Sequence, residues 1–140
     1  MTKYAEIYQD LKAILQNVPG VNKVEFGRPD PIVSENTFTA AYILPDTDSF
    51  DLVRMGSTQI DAYNTKIYAR IFLNINSETD DLYWIQIRHD VINHVLYDDE
   101  IWSNLIDRDI VSVVYDDGGT QPLWALEILF EFTLKEECFA

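Results

Sequence analysis

One cysteine, two histidines and ten basic residues are all that this chain of 140 residues holds of three side-chain classes on which many functions depend. The lone thiol, Cys138, has no second cysteine with which to form an internal disulfide, which fits a reducing compartment. It also leaves no Cys-x-x-Cys pair for redox or zinc chemistry. His89 and His94 are five positions apart and do not share a helix face well enough to hold one metal, so they read as two ordinary histidines. Ten Lys and Arg stand against 24 Asp and Glu, a formal charge of −14. That balance argues against adhesion to DNA, RNA or anionic lipid, which needs clustered cations. No glycine-rich phosphate loop with its lysine is present. No apolar run is long enough to span a membrane, and no secretory leader pattern opens the sequence. Internal repeats and low-complexity tracts are absent too.

Catalytic candidates are as scarce. Asp46, Asp48 and Asp51 have something of a calcium loop's spacing, but the glycine it needs is missing and Ser57 stands where the closing glutamate belongs. Cys138 is a poor nucleophile candidate so near the end of the sequence. Carboxylate pairs are plentiful, and abundance carries no specificity for acid–base work. The expectation is a non-enzymatic protein with no cofactor and no metal.

What the chain has is apolar surface in period. It is 47% hydrophobic and 13% aromatic, enough for one globular domain over residues 1–140. From Leu123 to Lys135, every second residue is large and apolar: Trp124, Leu126, Ile128, Phe130, Phe132 and Leu134. Successive strand side chains point to opposite faces, so this is a long strand with one core face. Its other face is mixed and carries Glu127 and Glu131. Ile60 to Asn76 repeats the pattern, with Tyr63, Ile67, Ala69, Ile71, Leu73 and Ile75 inward and Lys66 and Arg70 on the other side. If the two strands pair, these cations sit across from the glutamates and select the register.

Tyr4, Ile7, Tyr8, Leu11, Ile14, Leu15 and Val18 recur at steps of three and four, a helix that Thr2 caps and Pro19-Gly20 stops. A short strand follows near Val21 to Gly27, with Val24 and Phe26 on one face. Another covers Thr37 to Leu44, with Phe38, Ala40, Tyr42 and Leu44 on one side. Residues 46–59 show no clear period and read as a long loop or arm, or else as a hairpin extension. A second helix starts after Ser77-Glu78-Thr79-Asp80 and ends near Tyr97. It is apolar over more than half its circumference and needs two surfaces to cover it: the sheet, and either the first helix or another copy. A last hairpin turns at Asp116-Asp117-Gly118-Gly119. The order α-β-β-β-α-β-β predicts an α+β fold: a mainly antiparallel sheet of about five strands with two helices on one face.

This order of parts resembles the tail terminator, or tail completion, proteins of long-tailed bacteriophages. The likeness runs through the first helix ending Val18-Pro19-Gly20-Val21, the strand ending Tyr42-Ile43-Leu44-Pro45 and the long strand Tyr68 to Ile75. It continues in the second helix and the closing Leu129-Phe130-Glu131-Phe132. The resemblance implies a structural virion protein at the head-proximal end of the tail, assembled in the host cytoplasm as a homo-hexameric ring. Such a ring stops growth of the tube protein, joins the head–tail connector or stopper protein, and lets DNA pass through its lumen without specific binding. No membrane is involved. Two other readings remain compatible with the residues: another neck, tube or baseplate adaptor, and an unrelated acidic enzyme or ligand-binding domain.

In such a ring, with helices outside, the mixed sheet face lines the hole. Glu127, Glu131, Lys66 and Arg70 are therefore the expected lumen residues. Subunit contacts are expected from apolar residues in the 46–59 segment and from the second helix's wide apolar arc: Phe50, Leu52, Val53, Arg54, Met55, Trp84, Arg88 and Val91.

Overall fold

A computed structural model describes residues 2–27, 39–55, 58–74, 83–102, 105–120 and 123–137. The elements are α1 (Lys3–Gln16), β1 (Lys23–Phe26), β2 (Thr39–Met55), β3 (Thr58–Asn74), α2 (Tyr83–Tyr97), β4 (Leu105–Thr120) and β5 (Leu123–Glu137). The strands form one five-stranded sheet in the order β1-β2-β3-β5-β4. Only β1 and β2 run parallel; the other neighbours are antiparallel. This is the expected α+β architecture in the expected element order.

Each helix follows from its pattern. The Thr2 hydroxyl accepts from the Ala5 amide at 3.1 Å and satisfies one orphan donor of the first turn of α1. Ile7, Leu11, Ile14 and Leu15 are buried on its inner stripe. Gly20 then turns the chain with φ of +89°, and a side chain there would meet Ile87 Cδ1 at 3.0 Å, so only glycine fits both demands. On α2 the inward stripe is Ile87, Val91 and Val95.

The core lies between the helices and one face of the sheet. Leu126, Ile128, Phe130, Phe132 and Leu134 of β5 are all fully buried, as are Ile67, Ala69, Ile71 and Leu73 of β3. Each large side chain so buried contributes roughly 1.5–3 kcal/mol. The alternation read in these two strands is therefore the real inside–outside pattern; the side chains of Tyr63 and Trp124 lie outside the described residues, as does Ile75.

Three points go beyond or against these expectations. In β2 Ala40, Tyr42 and Leu44 do share one side, but it points away from the core; Ala41 and Ile43 face inward. Both sides of β2 are apolar, so alternation had nothing to distinguish; the ladder Val24↔Ala41↔Ile71 decides it. Phe38 lies outside the described residues. Second, residues 46–55 are strand, not loop: β2 and β3 form one hairpin paired from Thr39↔Leu73 to Met55↔Thr58. Past a register shift between Pro45 and Thr47 the described side chains of β2, through Ser49, are exposed. Over these described positions no core demands alternation, and no period marks them. Third, Asp116 to Gly119 belong to β4, whose ladder has an irregularity between Asp116 and Thr120. The glycines mark a disturbed strand end instead of the reversal itself.

Candidate functional site

The face of the sheet away from the helices carries an ordered set of charges. Because β3 and β5 pair antiparallel with Lys66 opposite Glu131 and Arg70 opposite Glu127, each cation meets a glutamate directly across the ladder. Arg70 Nη1 lies 3.2 Å from Glu127 Oε1, and Lys66 Nζ lies 3.9 Å from Glu131 Oε2. All four side chains are about a third exposed, 31–35%. Solvent screening at that exposure leaves each pair roughly 0.2–1 kcal/mol. Tyr68 and Leu129 sit opposite each other between the two pairs.

Aromatic residues frame these charges. The Arg70 guanidinium lies 5.1 Å over the Phe72 ring, and Phe72 meets Tyr42 edge-to-face at 5.7 Å. This explains how Tyr42 is buried on the face opposite the core. The Tyr68 hydroxyl donates to Asp46, and that bond, then burial, then the charges of Asp46 and Glu127 raise the Tyr68 pKa. On β4, Asp109 stands opposite Glu131 and so adds an anion to that row. The arrangement is a nearly neutral, laterally cross-braced floor with acids at its margin. All four lumen candidates thus share one exposed sheet face.

The other candidates scatter. Phe50, Leu52, Val53, Arg54 and Met55 lie on the outer half of β2, with backbones paired to β3, and their side chains lie outside the described residues. Trp84 packs edge-to-face on Tyr115 of β4 at 5.3 Å. Arg88 is partly buried on α2, with its Nε enclosed and without a partner. Val91 is fully buried between Ile87 and Val95 on the stripe facing the chain's own core, which leaves it no surface for a second subunit. Most of the wide arc of α2 is covered from within: Trp84, Ile92 and Leu96 pack against the core cluster, and α1 lies alongside. Ile85 remains exposed.

Two features escaped the sequence reading. Under α1, Tyr4 donates to Asp48 Oδ2 at 3.3 Å, Thr65 donates to Asp48 Oδ1 at 2.5 Å, and the Tyr4 and Tyr8 hydroxyls are 3.1 Å apart. This network ties the root of the long hairpin to the first helix. Burial, then the bond to Tyr4, pushes the Tyr8 phenol well above its ordinary range. The only sequence signal was a pair of tyrosines one turn apart on an otherwise aliphatic stripe. The second feature is an apolar cleft of about 410 Å³ where β1 ends beneath α1, lined among others by Tyr4, Ala5, Tyr8, Phe26, Ile43 and Pro45.

Among the described residues, no group of three or more His, Cys, Asp or Glu side chains comes together as a metal site. His94 Nδ1 contacts the Asp90 carbonyl at 2.7 Å and His89 Nε2 the Asn93 amide at 2.8 Å, each one turn along α2. No helix among the described residues is long and apolar enough to cross a membrane.

No protein-family model matches the sequence, and no curated protein is similar to it at a significant level. Solved structures do match in fold. The sheath/tube terminator (PVC) of an extracellular contractile injection system, in its extended state, superposes over 97% of this chain with a TM-score of 0.61 at 11% identity. This chain spans 57% of that terminator's length. A chain of the native gene transfer agent virion is matched over 96% of this chain and 92% of its own, at 10% identity and a TM-score of 0.43, a likeness too weak to argue from.

Proposed function

We propose that this protein is a structural tail component that terminates a tail tube, working as a ring at the tube's head-proximal end. The observation that carries the reading is the agreement of nearly the whole chain, helices and all five strands, with the fold of a sheath/tube terminator. The exposed sheet face supports it. A ring that stacks on a tube needs one side of each subunit turned to the hole, and the face with Lys66, Arg70, Glu127 and Glu131 is the broad, polar, helix-free side. Its charges are mutually paired, while the chain as a whole carries −14. Paired cations grip phosphate poorly and surplus anions repel it, so DNA passing through would slide instead of sticking.

The ring has six copies in this reading and meets two partners, the tube protein below and a head connector or stopper above. It performs no catalysis. The outer half of the β2–β3 hairpin, with Phe50, Leu52, Val53, Arg54 and Met55, reaches along the ring toward a neighbour, and Trp84 and Arg88 lie beside the seam. The outer half of β2, residues 46–55, at about 3.3 Å per residue is roughly 33 Å long, ample for that reach.

Tube length tests the proposal. Particles assembled without this protein should carry tubes of uncontrolled length and no attached heads in electron micrographs. Tubes of uniform length joined to heads would refute it. Uniform tubes lacking heads would favour a neck adaptor with the same fold.

A further inference from the structure

The two edges of the sheet are unlike and complementary. At the β1 edge, β1 stops at Phe26, paired with Ile43, while β2 runs on to Met55. The step leaves the apolar cleft, with Phe26, itself 47% exposed, as its wall and Pro45 at its floor. At the opposite edge, β4 has no outer neighbour among the described residues. There Val111, Val114 and Tyr115 are 46–52% exposed, half of all the large apolar side chains so exposed among the described residues. Val111 is the bulged residue between Ile110 and Ser112, without a partner on β5. A bulge re-aims its side chain away from the ladder.

Register puts ridge and cleft at one level. A single cross-strand row runs Pro45↔Ile67↔Phe130↔Ile110, so the bulge at Val111 lies one residue from the row that ends in the cleft. Charge agrees as well. Residues 2–27 hold three lysines against three carboxylates, whereas residues 83–120 hold two arginines against eight carboxylates. Lys12 sits 5.0 Å over the Phe26 ring and Lys23 is exposed on β1. Asp107 and Asp109 are exposed on β4.

We propose that the cleft beneath α1 receives the β4 ridge of a second copy of this chain, Val111 foremost, with Lys12 and Lys23 facing Asp107 and Asp109. The contact is heterologous: each copy offers one edge and receives the other, the geometry that builds rings or filaments but not isolated two-fold dimers. It covers the exposed Phe26 and Val111 and caps two sheet edges that have no outer neighbour among the described residues and would otherwise invite indiscriminate pairing. It deepens the terminator reading by assigning the ring's seam and rests on that reading only for closure into a ring.

Two variants test it. Ala5→Glu places a carboxylate in the cleft, in the first turn of α1 where an acid suits the helix dipole, so the helix keeps its stability. Val111→Asp places one on the ridge at a half-exposed edge position. Circular dichroism checks that each folds; Val111→Ser replaces the second if it does not. By native mass spectrometry at high concentration, the unmodified chain should show oligomers and each variant only monomer. An equal mixture should give a dimer and nothing larger, because the intact cleft of one variant meets the intact ridge of the other while the altered cleft and altered ridge stay closed to any further copy. A monomeric unmodified chain, oligomers in either variant alone, or a mixture without dimer overturns the contact. Those results leave the terminator reading untouched, since it is decided by tube length.

Discussion

Replacing Arg70 and Glu127 by alanine, singly and together, measures what the cross-strand charges contribute. Their contact is 3.2 Å, the closer of the two β3–β5 pairs, and both side chains are about a third exposed. Unscreened attraction at that distance would be several kcal/mol, but exposure reduces pairs of this kind to about 0.2–1 kcal/mol. Arg70→Ala alone should cost more than Glu127→Ala, because the guanidinium also lies over Phe72, a contact that adds about 0.5–1 kcal/mol. The cycle cancels that term and leaves the pair itself. We expect a coupling of about 0.5–1 kcal/mol from urea denaturation in low salt. It should shrink toward zero in 1 M salt, where the screening length is about 3 Å. A coupling near zero at low salt would refute the claim that these charges set register. A coupling of about 2 kcal/mol or more, insensitive to salt, would mean the pair is far more enclosed than this structure makes it.

Three further outcomes follow from the same geometry. Phe130→Ala should destabilise the fold by about 3–5 kcal/mol in the same assay, since a fully buried ring at the centre of the core leaves a cavity. Raising pH above about 10, the ordinary tyrosine value, should weaken the native state: the folded chain holds the Tyr8 proton more tightly than the unfolded chain does, so stability present below that pH is lost above it. Tyr8→Phe should flatten that part of the pH–stability curve, and an unchanged slope would exonerate Tyr8. Glu127→Lys with Glu131→Lys should slow DNA ejection from otherwise complete particles, because four cations per subunit would then face the lumen with Asp109 as the carboxylate left in their row; ejection at the normal rate would show that this face does not line the channel.

The core was readable from the sequence because burial imposes a period. The steps of α1 and the alternation of β3 and β5 each separate an apolar side from a polar one, and the structure buries those sides. The opposition of Lys66 and Arg70 to Glu131 and Glu127 was legible for the same reason: once both inward faces are known, the mixed faces share a side and charge selects the register. Tertiary structure alone decided the rest. The inward face of β2 depended on which neighbours it paired with, since both of its sides are apolar. Residues 46–55 became strand through pairing with β3, in a stretch with no apolar–polar alternation to announce it. Val91 became core, not contact, when α1 and the sheet closed over most of the wide apolar arc of α2. The cleft and the β4 ridge have no sequence pattern, because each is made where one strand ends before its neighbour or bulges out of its ladder. A chain's periodicity records what it buries within itself; what it offers to others is decided by where its elements stop.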